Sequence, residues 1–134
     1  MTADSALADR WRGLLSCCSG VAHDLERELH AGHGLTMSEY EALDRLLEFA
    51  DCQARIQDLV GDMYLSQSAL SRTVGRLEKR GLVERSMCAT DRRGVFVSAT
   101  AEGRRVRDQA RTTYLDVLAR HLGPAEDRAL SPGA

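Results

Sequence analysis

Apolar residues recur every three or four positions along the first 30 residues of the chain, which is the spacing of one face of an α-helix. On a helical projection they fall within a stripe about 120° wide. The pattern predicts one long amphipathic helix over residues 5–30, which glycines at positions 32 and 34 end. The stripe consists of Leu7, Trp11, Leu14, Leu15, Cys18, Val21, Ala22, Leu25 and Leu29.

Three further helices are predicted from apolar spacing and from residues that favour helix ends. Thr36 and Glu39 have the spacing of a capping box at the start of the second helix. Ser66 is a good N-cap for the fourth helix, and Gly81 is placed to end that helix in the left-handed conformation. A three-residue connection separates the third helix from the fourth. The predicted spans are 37–49, 53–62 and 67–80.

After the fourth helix the apolar positions alternate, which indicates β-strands. Residues 82–87 and 95–99 predict two short strands joined by a polar loop, in which Gly94 allows a tight return. Thr100 can then cap a last long helix over residues 101–122. The predicted fold class is therefore mainly α with a small β-hairpin wing. It is a winged helix-turn-helix, in which the second short helix enters the DNA major groove.

The helix that Ser66 caps carries side chains suited to nucleic acid. Ser66 and Ser68, together with the backbone amides at the helix start, suit a phosphate. Arg76 has like-charged neighbours at positions 79 and 80, which favours a role facing phosphate over an ordinary solvent-facing position. Amide, hydroxyl and guanidinium groups near the N-terminal half can reach base edges, and arginine matches guanine O6 and N7. The base-reading candidates are Gln67, Ser68, Ser71 and Arg72.

Charge is distributed unevenly along the chain, although the formal total is only -2. Residues 66–111 contain 11 basic and 5 acidic side chains, a balance of +6, which leaves -8 for the remainder of the chain. A basic segment within an otherwise acidic protein attracts phosphate without making the whole surface indiscriminately adhesive. The near-neutral total therefore conceals the electrostatic pattern expected of a DNA-binding protein.

Length and composition indicate one ordinary domain. The chain has 134 residues, 43% of them hydrophobic, and no apolar stretch long enough for a membrane span. The N-terminus lacks the organisation of a signal peptide, so we expect a cytoplasmic protein with reduced thiols.

The sequence contains no nucleophile elbow, Walker loop or dinucleotide fingerprint, so we expect neither an enzyme nor a cofactor. Its four histidines lack the spacing of metal ligands, and no metal is expected.

Five segments of the sequence resemble the MarR family of bacterial transcription regulators. The resemblance is dense from about residue 35 to residue 105, and the combination of LEKRGLVER with the DRR that follows it is specific. It implies a homodimer that binds a pseudo-palindromic operator in double-stranded DNA, usually as a repressor, and that a small molecule or an oxidant often releases. The segments are Leu35-Thr36, Gln67-Ser68-Ala69-Leu70-Ser71-Arg72, Leu77-Glu78-Lys79-Arg80-Gly81-Leu82-Val83-Glu84-Arg85, Asp91-Arg92-Arg93 and Thr100-Ala101-Glu102-Gly103.

The same resemblance implies roles for the wing. In the family, a wing arginine enters the minor groove and an acidic wing residue braces it. These roles carry over to Arg93 and Asp91, and Arg92 is a further candidate contact. We therefore expect the charged tip of the hairpin to contribute to DNA binding.

The resemblance also divides the single domain, residues 1–134, into two functional regions. An effector, for which a small aromatic compound is the expectation, would bind between the dimer helices and the DNA-binding region, where Leu14, Cys18 and Tyr40 are candidate pocket residues. Only a short segment over residues 125–130 remains for the last dimer helix of the family. The expected regions are 1–34 and 101–134 for dimerisation and 35–100 for DNA binding.

Two alternatives remain open at the level of sequence. In one, the winged helix holds a protein partner and has no specific affinity for DNA. In the other, the regulator senses oxidants or a metal. Cys18 lies at the centre of the apolar stripe and Cys17 is turned about 100° from it, whereas arginines flank Cys88 and favour its thiolate.

Overall fold

The structure is a computed structural model that describes residues 2–88 and 91–123, with only the backbone described at residues 87, 88 and 91–94. Over these ranges the chain forms five α-helices, a 3-10 turn and a three-stranded antiparallel sheet. The predicted fold class, mainly α with a small wing, is confirmed. The elements are α1 (Ala3–His33), α2 (Met37–Glu48), the 3-10 turn (Ala50–Cys52), β1 (Gln53–Arg55), α3 (Ile56–Gly61), α4 (Gln67–Lys79), β2 (Val83–Cys88), β3 (Asp91–Ala99) and α5 (Ala101–Leu122).

Hydrogen bonds at the helix ends confirm the predicted caps. Helix α1 continues past residue 30 and ends at Gly34, whose φ of 68° lies in the left-handed region that favours glycine. The Glu39 amide donates to Thr36 Oγ1 at 3.0 Å and the Thr36 amide donates to Glu39 Oε1 at 2.8 Å, which completes the capping box. Ser66 and Thr100 accept backbone hydrogen bonds at the starts of α4 and α5. These local patterns in the sequence therefore set the helix boundaries.

The prediction of a helix over residues 53–62 is wrong for its first three residues. Asp51 and Cys52 adopt left-handed backbone angles, with φ of 58° and 55°, which turns the chain away from the direction of α2. The chain then forms β1, which pairs antiparallel with residues 96–98 of β3, and α3 begins only at Ile56. Neither left-handed residue is a glycine, so the usual sequence mark of such a turn is absent.

The wing is longer than predicted. Strand β3 begins at Asp91, four residues earlier than expected, so Gly94 lies within the strand and not at a tight return. Strands β2 and β3 pair from Val83 with Ala99 to Cys88 with Asp91. Since the strand order is β1-β3-β2, β3 is central and β1 attaches the hairpin to the segment that precedes α3.

One hydrophobic core joins the helices to the sheet. Tyr40, Leu43 and Leu46 of α2 face inward and are buried. The ring of Tyr40 stands edge-on to that of Tyr114 in α5, with 4.3 Å between the ring centroids. Burying each leucine stabilises the fold by about 1.5–3 kcal/mol relative to leaving it exposed. The other buried apolar residues are Leu25, Leu29, Leu35, Ala42, Ala54, Leu59, Leu70, Val74, Leu77, Leu82, Val83, Val97, Ala110 and Val117.

The apolar stripe of α1 lies in two different environments. Its C-terminal part joins the core, where Leu25 and Leu29 are 3% and 0% exposed. Its N-terminal half is open, with Leu7 at 61% and both Trp11 and Leu14 at 59% exposure. None of the helices in the described ranges is long and apolar enough to cross a membrane. The stripe predicted as one surface is thus partly core and partly open.

Polar side chains hold α1 against α5. His121 Nε2 lies 2.7 Å from Asp24 Oδ2, and His33 Nε2 lies 2.8 Å from Thr113 Oγ1. The hydrogen bond with His121 is the main cause that lowers the pKa of Asp24. These pairs join the end of α5 to the middle of α1 and the middle of α5 to the end of α1. The two helices therefore run antiparallel.

Candidate nucleic-acid interface

Helix α4 packs one face on the core and leaves the other open. Leu70, Thr73, Val74 and Leu77 are buried at spacings of three and four residues. The polar member of this set is satisfied, because the Thr73 hydroxyl donates to the carbonyl of Ala69 at 3.0 Å. The apolar contacts fix the rotation of α4 about its axis and so determine which side chains reach solvent.

The predicted base-reading residues lie on the open side of α4 or at its edge. Gln67, Ser68 and Arg72 are exposed, and Ser71 is half-buried. Ser66 Oγ accepts a hydrogen bond from the amide of Ala69 at 3.2 Å and therefore serves as the N-cap of α4. In the described part of the chain, Arg72 has no hydrogen-bond or ion-pair partner. Its guanidinium donors are available to an external acceptor.

Arg76 differs from Arg72, because the protein itself uses its guanidinium. Its Nε lies 3.4 Å from Glu39 Oε2 in α2, and its Nη2 donates to Thr73 Oγ1 at 3.1 Å. Glu39 is only 4% exposed, and a buried carboxylate is costly unless it is paired and hydrogen-bonded. Arg76 thus has an internal role that the sequence did not suggest.

Two further arginines attach α4 to its surroundings. Arg80 donates from Nη1 to the carbonyl of Gly34 at 2.7 Å, which ties the end of α4 to the corner between α1 and α2. Arg85 of β2 donates from Nη2 to the carbonyl of Ser71 at 3.3 Å, and its Nε lies 3.4 Å from Glu78. Helix α4 is therefore braced on one side by the α1–α2 corner and on the other by the wing.

Internal ion pairs reduce the number of cations that an external anion can reach. Arg107 lies 3.0 Å from Asp44 and is mostly buried. Arg105 pairs with Glu102, and this hydrogen bond lowers the pKa of Glu102. The basic balance of residues 66–111 therefore overstates the charge offered to a partner. The cations of α4 without a partner among the described residues are Arg72 and Lys79.

The wing candidates occupy the first positions of β3. Asp91, Arg92 and Arg93 are its first three residues, and Asp91 pairs with Cys88 of β2. Their side chains, like that of Cys88, lie outside the described part of the structure. The backbone places them at the end of the hairpin away from α5, so their roles in DNA binding stay predictions.

Comparison with known proteins identifies the family. The MarR family model matches residues 35–95. AbsC, a MarR family transcriptional regulator from Streptomyces coelicolor, is 33% identical, with a TM-score of 0.81 over 98% of this chain and 93% of that one. The chain belongs to the MarR family of transcriptional regulators. The resemblance inferred from its sequence motifs is confirmed, and its winged helix is that of the MarR fold.

Two more proteins are similar to this chain. Sco3205, a MarR family transcriptional regulator from Streptomyces coelicolor solved in complex with DNA, is 30% identical, with a TM-score of 0.82 over 99% of this chain and 80% of that one. YsmB of Bacillus subtilis (strain 168), an uncharacterised HTH-type transcriptional regulator, is 33% identical over 92 residues. That alignment covers 69% of this chain and 62% of YsmB, less than two thirds of its length.

The three candidate effector residues lie in different environments within one protomer. Leu14 and Cys18 are exposed on α1, whereas Tyr40 is 0% exposed between α2 and α5. The Tyr40 hydroxyl is buried and has no hydrogen-bond partner among the described residues. Burial also raises the pKa of Tyr40, so the hydroxyl stays protonated. One protomer alone does not bring these three side chains to a common cavity wall.

The cysteines of the described ranges differ in exposure and in their contacts. Cys17 and Cys18 are free and exposed on α1. Cys52, which the sequence did not single out, accepts a hydrogen bond from Arg104 Nη2 at 2.8 Å. No three His, Cys, Asp or Glu side chains are arranged to hold a metal ion within the described ranges.

Sequence reasoning missed two residues that shape the candidate interface. Lys79 lies seven residues after Arg72, which is two helical turns, so helical spacing alone could have placed it on the open face. Glu39 was recognised only as part of a capping box. Its pairing with α4 depends on how α2 packs against α4, and no local pattern records that contact.

Proposed function

We propose that this protein is a homodimeric, sequence-specific DNA-binding regulator that represses transcription until a small molecule or an oxidant releases it. The observation that carries the proposal is the open face of α4, where Arg72 and Lys79 have no partner among the described residues. The buried face of the same helix is packed on the core and braced by ion pairs. A rigid helix with unpaired donors on its outer face suits the major groove.

The proposed contacts divide between two grooves. In the major groove, Arg72 recognises guanine, and Gln67, Ser68 and Ser71 contact neighbouring base edges. Ser66 and Arg76 contribute near phosphates. In the flanking minor groove, Arg93 enters from the wing, with Asp91 and Arg92 beside it. This wing contact follows from the family resemblance.

The open apolar half of α1 supports a homodimer. Contiguous exposed apolar patches are rare on monomers, and a second copy of the same helix would cover this one. In the proposed arrangement residues 1–34 and 101–134 form the dimer and residues 35–100 bind DNA. Two α4 helices about 34–36 Å apart then match a pseudo-palindromic operator.

The orphan hydroxyl of Tyr40 supports a polar contact to a small aromatic effector. Leu14 and Cys18 are exposed, so they would border such a pocket only once a partner protomer covers α1. An effector that binds one spacing of the two α4 helices more tightly shifts the dimer towards that spacing. Oxidation at Cys17, Cys18 or Cys88 is the other proposed signal.

The first experiment is selection of DNA fragments bound by the protein, followed by binding titrations over a range of salt concentrations. We expect the logarithm of the affinity to fall linearly with the logarithm of salt, with a slope of about -0.9 for each phosphate contact. Arg93→Ala is expected to reduce that slope by about one unit. A monomer without salt-dependent affinity for DNA would instead support a module that holds a protein partner.

A second experiment tests release. The selected fragment, bound to the protein, is challenged separately with phenolic compounds, peroxide and zinc. If a phenolic compound releases the DNA from wild type, and releases it less well from Tyr40→Phe, the effector pocket is supported. Release by peroxide that is lost on replacing Cys17 and Cys18 with serine would support thiol sensing.

A further inference from the structure

Four of the five helices in the described ranges contain glycine, which favours a helix less than most residues do, and Gly75 and Gly103 are the glycines of α4 and α5. At Gly103 in α5, an added Cβ would collide with the carbonyl oxygen of Leu82, so the packing of the protein requires a glycine there. Gly75 in α4 is different. The nearest atom to a Cβ at this position is Arg85 Nη2 at 3.8 Å, an ordinary van der Waals distance, and φ is not positive. The fold itself therefore gives no reason for glycine at position 75.

The position of Gly75 on α4 suggests a reason outside the protomer. Ser68, Arg72, Gly75 and Lys79 follow at spacings of four, three and four residues, so they share one face of the helix. Ser68, Arg72 and Lys79 are exposed, and this face is opposite the buried one. Gly75 is half-buried beside the Arg85 guanidinium, and it lies between two cations, Arg72 and Lys79, that have no partner in the described part of the chain.

The two ends of this helix face are far enough apart to contact different parts of the DNA groove. Gly75 lies seven residues, or about 10 Å, beyond Ser68 at the N-terminal end. The major groove is about 12 Å wide, so a helix whose first turns reach the bases meets the phosphates on the groove rim two or three turns later. Arg72 then stands on the base side of Gly75 and Lys79 on the phosphate side.

We propose that Gly75 admits a phosphate of the DNA backbone to the surface of α4, where Lys79 binds it. The inference rests on the proposed function, because it assigns a contact within the same protein–DNA interface. A side chain at position 75 would hold the phosphate away from the helix and from the Lys79 ammonium. The ligand is a backbone phosphate, so the contact contributes to affinity for every sequence and not to base preference.

The test compares Gly75→Ala and Gly75→Gln with a matched control, Gly32→Ala. Gly32 lies in α1, is exposed, and has no atom within 4 Å of an added Cβ. Both alanine substitutions are expected to raise Tm by roughly 2–5 °C, because alanine favours the helix more than glycine. Only the Gly75 variants are expected to bind DNA less tightly, by about tenfold for alanine and more for glutamine.

Affinity is measured on a selected operator duplex and on a random-sequence duplex of the same length. A similar loss on both duplexes supports a phosphate contact. Gly75 variants that bind both duplexes within about twofold of wild type would overturn the inference. A loss confined to the operator would overturn the phosphate assignment, and a lower Tm in Gly75→Ala would show that the fold needs this glycine. Wild-type protein without DNA affinity would instead overturn the proposed function together with this inference.

Discussion

Helices α1 and α4 are both amphipathic, but they leave opposite kinds of surface open. The N-terminal half of α1 exposes Leu7, Trp11 and Leu14, whereas α4 buries its apolar face and exposes Arg72 and Lys79. An apolar face gains free energy when another protein surface covers it. A face of unpaired cations gains when it meets an anion. The two helices therefore suit different partners, and we propose a second protomer for α1 and DNA for α4.

The comparison also shows why pattern alone does not identify a binding surface. The apolar stripe of α1 is continuous in sequence, yet the core of one protomer covers only its C-terminal part, including Leu25 and Leu29. The cations in and just after α4 also recur along the sequence, yet Arg76 and Arg80 form ion pairs with Glu39. In each helix, the residues that identify a binding surface are those that stay exposed and make no contact within the protomer.

The largest expected effect is on α1. Trp11→Glu places a charge in the open apolar face and should raise the dimer dissociation constant by at least about 100-fold, equivalent to about 3 kcal/mol. Sedimentation velocity over a range of concentrations measures it. Ser16→Glu is the matched control, because Ser16 is exposed on the opposite side of α1 and the added charge is the same. Equal association of the two variants would contradict the assignment of this face to a second protomer.

The next effect is on the open face of α4. Arg72→Ala should lower affinity for a selected operator by roughly 10–100-fold, the value of a bidentate contact to guanine, and have a much smaller effect on random DNA. Fluorescence anisotropy with both duplexes measures the difference. An equal loss on both duplexes would mean that Arg72 contacts phosphate alone.

A smaller effect is expected where α2 packs against α4. Glu39→Gln removes the charge that Arg76 and Arg80 face, and should lower the free energy of unfolding by about 1–2 kcal/mol. Urea unfolding measures it. Glu48→Gln is the control, because Glu48 is exposed and its pair with Arg45 is worth less than about 1 kcal/mol. Similar changes in both variants would remove Glu39 from the account of how α4 is held.

The smallest effect concerns pH. Burial raises the pKa of Glu41, beside Tyr114, above its ordinary value of 4.5. A carboxyl whose pKa is raised on folding contributes stability below its unfolded pKa, and this contribution is lost as pH rises through the folded pKa. Glu41→Gln should therefore be more stable than wild type near neutral pH and converge with it in acid. Urea unfolding at a series of pH values checks this, and parallel curves would contradict it.

Local features made much of the fold predictable. Caps at Thr36, Ser66 and Thr100 and apolar spacing located the helices within a few residues, since these depend on neighbouring positions. Strand β1 was not predictable, because the left-handed turn at Asp51 and Cys52 that precedes it contains no glycine.

The candidate site divides in the same way. Helical spacing placed Gln67, Ser68 and Arg72 on the outer face of α4, because that face follows from the apolar residues of the same helix. The internal pairing of Arg76 depends on contacts between residues far apart in the chain. A similar contact across the fold distinguishes Gly103, which packing requires, from Gly75, which it does not.

The most direct test of a DNA-binding homodimer counts the protomers that bind one selected operator duplex, and follows how that binding depends on salt, for wild type and for Trp11→Glu. Analytical ultracentrifugation with labelled DNA gives both quantities. For such a homodimer we expect two wild-type protomers per duplex, affinity that falls steeply with salt, and a much weaker complex for the variant. A single protomer bound, or affinity that does not depend on salt, would contradict it.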